Sequence, residues 1–121
     1  MAQVGTTDSS DLPTTPGAFL QKGTGAFVGK VNAAGTALSY LTVIGAGNYD
    51  YYISVPATRA SALAVDDAGN AYLTGATADR KFPATAGAYQ TTYAPSVDPS
   101  TTPFGLPPTD AFVAKIDGTG Q

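Results

Sequence analysis

One stretch of this chain occurs twice. Gly5-Thr-Thr-Asp-Ser-Ser-Asp-Leu-Pro-Thr-Thr-Pro-Gly-Ala-Phe19 realigns with Gly75-Ala-Thr-Ala-Asp-Arg-Lys-Phe-Pro-Ala-Thr-Ala-Gly-Ala-Tyr89 at an offset of 70 residues, and Ala26-Phe-Val-Gly-Lys-Val31 realigns with Ala111-Phe-Val-Ala-Lys-Ile116 at an offset of 85. The second copy therefore carries 15 additional residues between its matching parts. They fall in 90–109, where Pro95, Pro99, Pro103, Pro107 and Pro108 exclude a central strand and specify a long surface loop. Units that recur in this way bury their apolar faces by stacking on one another.

Three turns recur as well. Asn32-Ala-Ala-Gly35, Asp66-Asp-Ala-Gly69 and Asp117-Gly-Thr-Gly120 each place an Asx residue first and Gly fourth. An Asx side chain bonds the backbone a few residues on, and the fourth position takes a positive φ, where Gly has no Cβ to clash. Such turns close hairpins. Around them lie short apolar runs at Ala26–Val31, Leu38–Ile44, Ala62–Val65, Ala71–Thr74 and Ala111–Ile116, all of strand length. All nine acidic residues are Asp, while Gly, Thr and Pro are abundant, so strong helix formers are scarce. The expected fold is all-β. Apolar or small residues occupy both faces of these runs, with Phe112 and Ile116 pointing one way and Ala111 and Val113 the other. That pattern suits sheets stacked on either side, as in a propeller, over a sandwich with one wet face per sheet.

Ala64-Val-Asp-Asp-Ala-Gly-Asn-Ala-Tyr-Leu-Thr-Gly75, Phe82-Pro-Ala-Thr-Ala-Gly-Ala-Tyr-Gln90 and Asp110-Ala-Phe-Val-Ala-Lys-Ile-Asp-Gly-Thr-Gly120 together resemble the bacterial SBBP-type β-propeller repeat. The resemblance covers about two thirds of the chain, the shorter first copy included, and omits 47–59 and the insertion. It implies antiparallel four-stranded blades and a secreted or cell-surface protein, and it implies no catalytic residue. On this reading the chain is a single repeat unit of about one and a half blades, incomplete at both ends. Residues 1–46 form a first partial blade, 47–60 an aromatic loop, and 61–121 a second partial blade with the Pro-rich insertion at 90–109.

The composition excludes several functions. With no Cys and no His, thiolate chemistry, disulfides and the commonest neutral-pH acid/base and metal ligand are absent. A net charge of −3 with only six Lys plus Arg gives no basic footprint for nucleic acid or an anionic membrane surface. No run of 18 apolar residues is present, and Met1-Ala-Gln-Val lacks the basic and apolar regions of a signal peptide. Ser and Thr lack a His partner, and the acids sit in turns and loops, so no enzyme and no cofactor are expected.

Two segments carry candidate binding chemistry. Asp66, Asp67 and Asn70 offer oxygen ligands of the kind calcium uses, yet they are too few and lack a bidentate Glu, so they read as an Asx turn. Tyr49, Tyr51 and Tyr52, with Arg59 nearby, would stack on a sugar or a protein surface, or else cover a sheet edge. The assembly edges are expected at Ala2, Gln3 and Val4 and at Ala111, Phe112, Val113 and Ile116, because both ends of the chain fall within hairpins on the repeat alignment. The expected function is a non-enzymatic extracellular building block that pairs strands and stacks blades with copies of itself, as a ring or a filament. The competing expectation is a glycan-binding propeller module within a longer secreted protein, using the tyrosine loop.

Overall fold

The computed structural model describes residues 1–45, 49–50, 55–94 and 108–121. Eight strands follow one another: β1 (Ala2–Thr7), β2 (Gly25–Val31), β3 (Leu38–Ile44), β4 (Tyr49–Asp50), β5 (Val55–Pro56), β6 (Thr58–Val65), β7 (Ala71–Thr77) and β8 (Asp110–Ile116). The described residues contain no helix, and the all-β expectation holds. Two antiparallel three-stranded sheets, ordered β1-β2-β3 and β6-β7-β8, are joined by a two-stranded ladder of β4 with β5. Neither sheet closes on itself. β6 begins at Thr58, so strand structure reaches into the span 47–60 that the sequence suggested as loop.

The three Asx turns form as their chemistry requires. Gly35, Gly69 and Gly120 have φ of 72°, 86° and 95°, and their N–H groups donate to the carbonyls of Asn32, Asp66 and Asp117 at 3.0, 2.9 and 3.1 Å. The Asx side chains accept in turn from Thr36 N at 3.0 Å, Asn70 N at 2.8 Å and Gln121 N at 3.1 Å. These contacts satisfy backbone donors that have no place in the ladders.

One core joins the two sheets. Ala26, Val28, Tyr40 and Ile44 of the first meet Ala71, Leu73, Phe112 and Ile116 of the second, with Val4, Ala60, Leu63, Phe82 and Ala114 around them. Burying a side chain such as Leu73 or Val28 contributes about 1.5–3 kcal/mol. β6 runs close beside β1 and β2. The sheets also interlock at their ends, where a Cβ on Gly120 would lie 2.9 Å from Cβ of Tyr40, and where Phe19 N donates to Gly120 O at 3.0 Å.

Alternation is clean in the second sheet. Ala71, Leu73, Gly75 and Thr77 of β7 are buried while Tyr72 and Thr74 are exposed. In β8, Phe112 and Ile116 face the core and Ala111, Val113 and Lys115 face solvent. β8 is thus buried on one face only, whereas β3 is buried throughout Tyr40–Ile44.

Candidate functional site

The repeat becomes a geometric statement once the strands are paired. Gly5 stands opposite Phe27 and Gly75 opposite Phe112, and in each pair the ring lies where a glycine Cβ would be, 2.7 Å and 2.8 Å away. β1 therefore corresponds to β7, and β2 to β8. The intervening loops match too: Ser9 N donates to Thr7 Oγ1 at 3.1 Å and Asp79 N to Thr77 Oγ1 at 3.0 Å. Ala18 N and Ala88 N each donate to a Thr carbonyl three residues back, at 3.1 Å in both copies. Gly17 and Gly87 share φ near 80°.

This correspondence fixes how the sheets lie on each other. The core face of the first sheet carries Val4, Ala26, Val28 and Tyr40. The core face of the second carries Leu73, Gly75, Phe112 and Ala114, the counterparts of Gln3, Gly5, Phe27 and Gly29, which lie on the opposite face of the first sheet. Unlike faces therefore meet in the core: the second sheet turns toward the first the face whose counterpart in the first sheet points away. The other face of the second sheet is exposed. Val28 is 0% exposed and its counterpart Val113 is 80% exposed. Ala26 is buried and Ala111 is exposed. Lys30 is half-buried with its Nζ against Gly69, while Lys115 lies over the Tyr72 ring, 5.6 Å from its centroid.

A cleft of about 480 Å³ runs along β8, between Phe112–Ile116 on one side and Phe82–Tyr93 on the other. The Phe82 and Phe112 rings meet at its floor with centroids 4.8 Å apart. Tyr89 stands fully exposed at its rim. The ends of the insertion are tied beside it, since Tyr93 OH donates to Pro108 O and Ala94 N donates to Asp110 Oδ2 at 3.0 Å. Burial, and then the Asp110 carboxylate, raise the pKa of Tyr93.

Of the residues singled out by sequence, Ala2, Gln3 and Val4 lie on β1, which among the described residues pairs with β2 alone. Ala111, Phe112, Val113 and Ile116 lie on β8, which among the described residues pairs with β7 alone. Only Ala111 and Val113 of these four present exposed side chains. Tyr49 lies on the short strand β4, Arg59 is exposed on β6 opposite Ala76, and Tyr51 and Tyr52 lie outside the described residues, as does most of the insertion. Asp66 is engaged within its own turn, accepting from Asn70 N, from Asn70 Nδ2 at 2.8 Å and from Tyr72 OH at 3.1 Å, with Asp67 exposed beside it. Those bonds, the Asn70 amide first, lower its pKa. Among the described residues no group of three or more His, Cys, Asp or Glu is placed to hold a metal ion. No helix among them is long and apolar enough to cross a membrane.

The cleft was not foreseen from sequence. Its signal was present in the loop repeat, because Thr85 and Gln90 correspond to Thr15 and Leu20, but what those residues touch emerges only from the paired strands. Comparison of the chain with protein-family models, curated proteins and solved structures finds no match.

Proposed function

We propose that the chain is a non-enzymatic structural building block that assembles with copies of itself at the cell exterior, its two sheets acting as consecutive, incomplete propeller-type blades. The observation that carries this reading is the contrast between Val28, fully buried by the neighbouring sheet, and Val113, its counterpart, 80% exposed. A surface that one sheet covers in the first copy is offered uncovered in the second. Another molecule can stack its Phe27-bearing face there in the manner of the internal contact, with strand pairing at free edges adding to the join. Because the joined faces differ, the contact is head-to-tail and yields a ring or a filament according to the rotation per step. Low charge favours such contacts, since few ions need be desolvated. The exterior location rests on the resemblance to SBBP-type repeats.

Light scattering after size exclusion, with negative-stain images of the same fractions, tests this. Rings or filaments whose mass rises with concentration are expected for the wild type, and discrete monomers for Val113→Glu. A wild-type monomer that persists as concentration increases overturns the reading.

A further inference from the structure

The three Asx turns share a backbone but differ at their second position. Ala33 follows Asn32 and Asp67 follows Asp66, whereas Gly118 follows Asp117, and of all the Asp and Asn residues in the chain Asp117 alone precedes a glycine. The turn does not require that glycine. Its positive φ falls at the fourth residue, Gly120, and a Cβ on Gly118 would lie 3.8 Å from Ala68 O and 3.9 Å from Gly69 O, in ordinary contact. What the absent side chain does is leave the Gly118 nitrogen sterically unhindered.

The Asp117 carboxyl is held against the same turn. Its Oδ1 accepts from Thr119 N at 2.8 Å, from Thr119 Oγ1 at 2.6 Å and from Gln121 N at 3.1 Å, so the side chain folds back over the peptide that joins it to Gly118. The Gly118 N–H takes none of these bonds, and both Gly118 and Thr119 are exposed to water. Cγ of Asp117 and N of Gly118 are the two ends of a five-membered ring, and holding reacting groups together in this way replaces a bimolecular encounter.

We propose that Asp117-Gly118 is a self-modifying site at which aspartate converts to isoaspartate, and that the conversion releases the turn after β8 from Tyr40 of the first sheet. From the neutral carboxyl, Gly118 N bonds to Cγ of Asp117 while the Cγ–OH bond breaks and the amide proton leaves with the hydroxyl as water. A water then opens the cyclic imide. Attack at the main-chain carbonyl breaks its bond to Gly118 N, and the chain thereafter runs through Cγ. The sum is an isomerisation in which one water is lost and one regained, with no oxidant or cofactor.

The main chain gains one C–C bond, about 1.5 Å. Gly120 sits too tightly to absorb it, since its Cβ position is 2.9 Å from Cβ of Tyr40 and its carbonyl accepts from Phe19 N at 3.0 Å. Asp117 N also donates to Gln121 O at 2.8 Å, closing the mouth of the turn. Lengthening the chain inside that closed loop pushes Gly120 off the Tyr40 ring and breaks the bond to Phe19.

The test ages the full chain at neutral pH and low concentration beside a free peptide of the sequence Lys115–Gln121. Isoaspartate is read by enzymatic carboxyl methylation and located by fragmentation mass spectrometry. The folded chain is expected to convert at Asp117 within about tenfold of the peptide's time, with the turns at Asn32 and Asp66 unchanged, and Gly118→Ala, whose Cβ the fold accommodates, should convert at least about tenfold more slowly. In the converted chain the Phe19 amide should exchange with solvent at least about tenfold faster than in the unconverted one. An Asp117 that stays intact on that timescale overturns the proposal, as does equal conversion in Gly118→Ala. Conversion that leaves the exchange of Phe19 unchanged overturns the release from Tyr40.

Discussion

The Phe112 ring lies over Gly75, its cross-strand partner, so closely that a Cβ on that glycine would sit 2.8 Å from the ring and 1.9 Å from the carbonyl oxygen of Arg59 on the other side. Phe27 over Gly5 repeats the arrangement at 2.7 Å from the ring, without the backbone neighbour. A ring fits a sheet face at this depth only where the opposing residue has no side chain.

Gly75→Ala is therefore expected to destabilise the chain by more than Gly5→Ala. Overpacking of a flexible ring costs about 1–3 kcal/mol, and a clash with backbone cannot be relieved by a rotamer change. Gly35→Ala, with open space around its Cβ but a φ of +72°, should cost only the left-handed strain of about 1 kcal/mol. Urea unfolding of the three variants checks the order.

Val28 and Val113 separate folding from assembly. Val28→Ala is expected to lower monomer stability by about 2 kcal/mol through the cavity it leaves in the core. Val113→Ala should change monomer stability by less than about 0.5 kcal/mol while weakening association. Denaturation at low concentration, paired with light scattering at high concentration, distinguishes the two effects.

Asp66 and Asp117 give the pH dependence. Both have lowered pKa values, Asp66 chiefly through the Asn70 amide and Asp117 chiefly through the Thr119 hydroxyl, with backbone N–H donors adding in each case. A carboxylate that is a stronger acid when folded stabilises the fold above the ordinary Asp pKa of about 3.9. That contribution is lost as pH falls through the lowered values. Stability should thus be flat near neutrality and fall below about pH 4, and the fall should be shallower in Asp66→Asn and Asp117→Asn. Thermal melts across pH 2–7 measure it.

Tyr40 is 1% exposed, and its hydroxyl has no hydrogen-bond partner among the described residues. Burial, and secondarily Asp117, raise its pKa. Tyr40→Phe removes a buried polar atom and keeps the ring against Gly120, so stability should be unchanged or higher by up to about 1 kcal/mol. In the wild type the raised pKa disfavours the phenolate in the folded chain, so stability should fall as pH rises from about 10 upward, and the variant should lose this part of the alkaline fall.

The Asx turns and the strands between them were legible because their chemistry is local: Asn32, Asp66 and Asp117 bond their own neighbours, and each fourth-position Gly carries the conformation that spacing demands. The burial of β8 was not. Val28 and Val113 have the same residue type and the same strand setting, and no local rule distinguishes them. What differs is whether another sheet lies on top, a fact of packing between segments far apart in sequence. The cleft beside β8 was hidden for the same reason: Thr15 bonds to Leu41, and nothing local in the sequence distinguishes it from Thr85.

For the proposed assembly, the unlike faces of the two sheets have a kinetic consequence. A row built by that contact has chemically distinct tips, one presenting Phe27 and the other Val113, so subunits need not add to both at the same rate. A Val113→Glu molecule retains an intact Phe27 face, so it can join one tip and then bar the next arrival. Added in trace amounts, it should act as a chain terminator for growth in one direction and leave the opposite tip free to elongate.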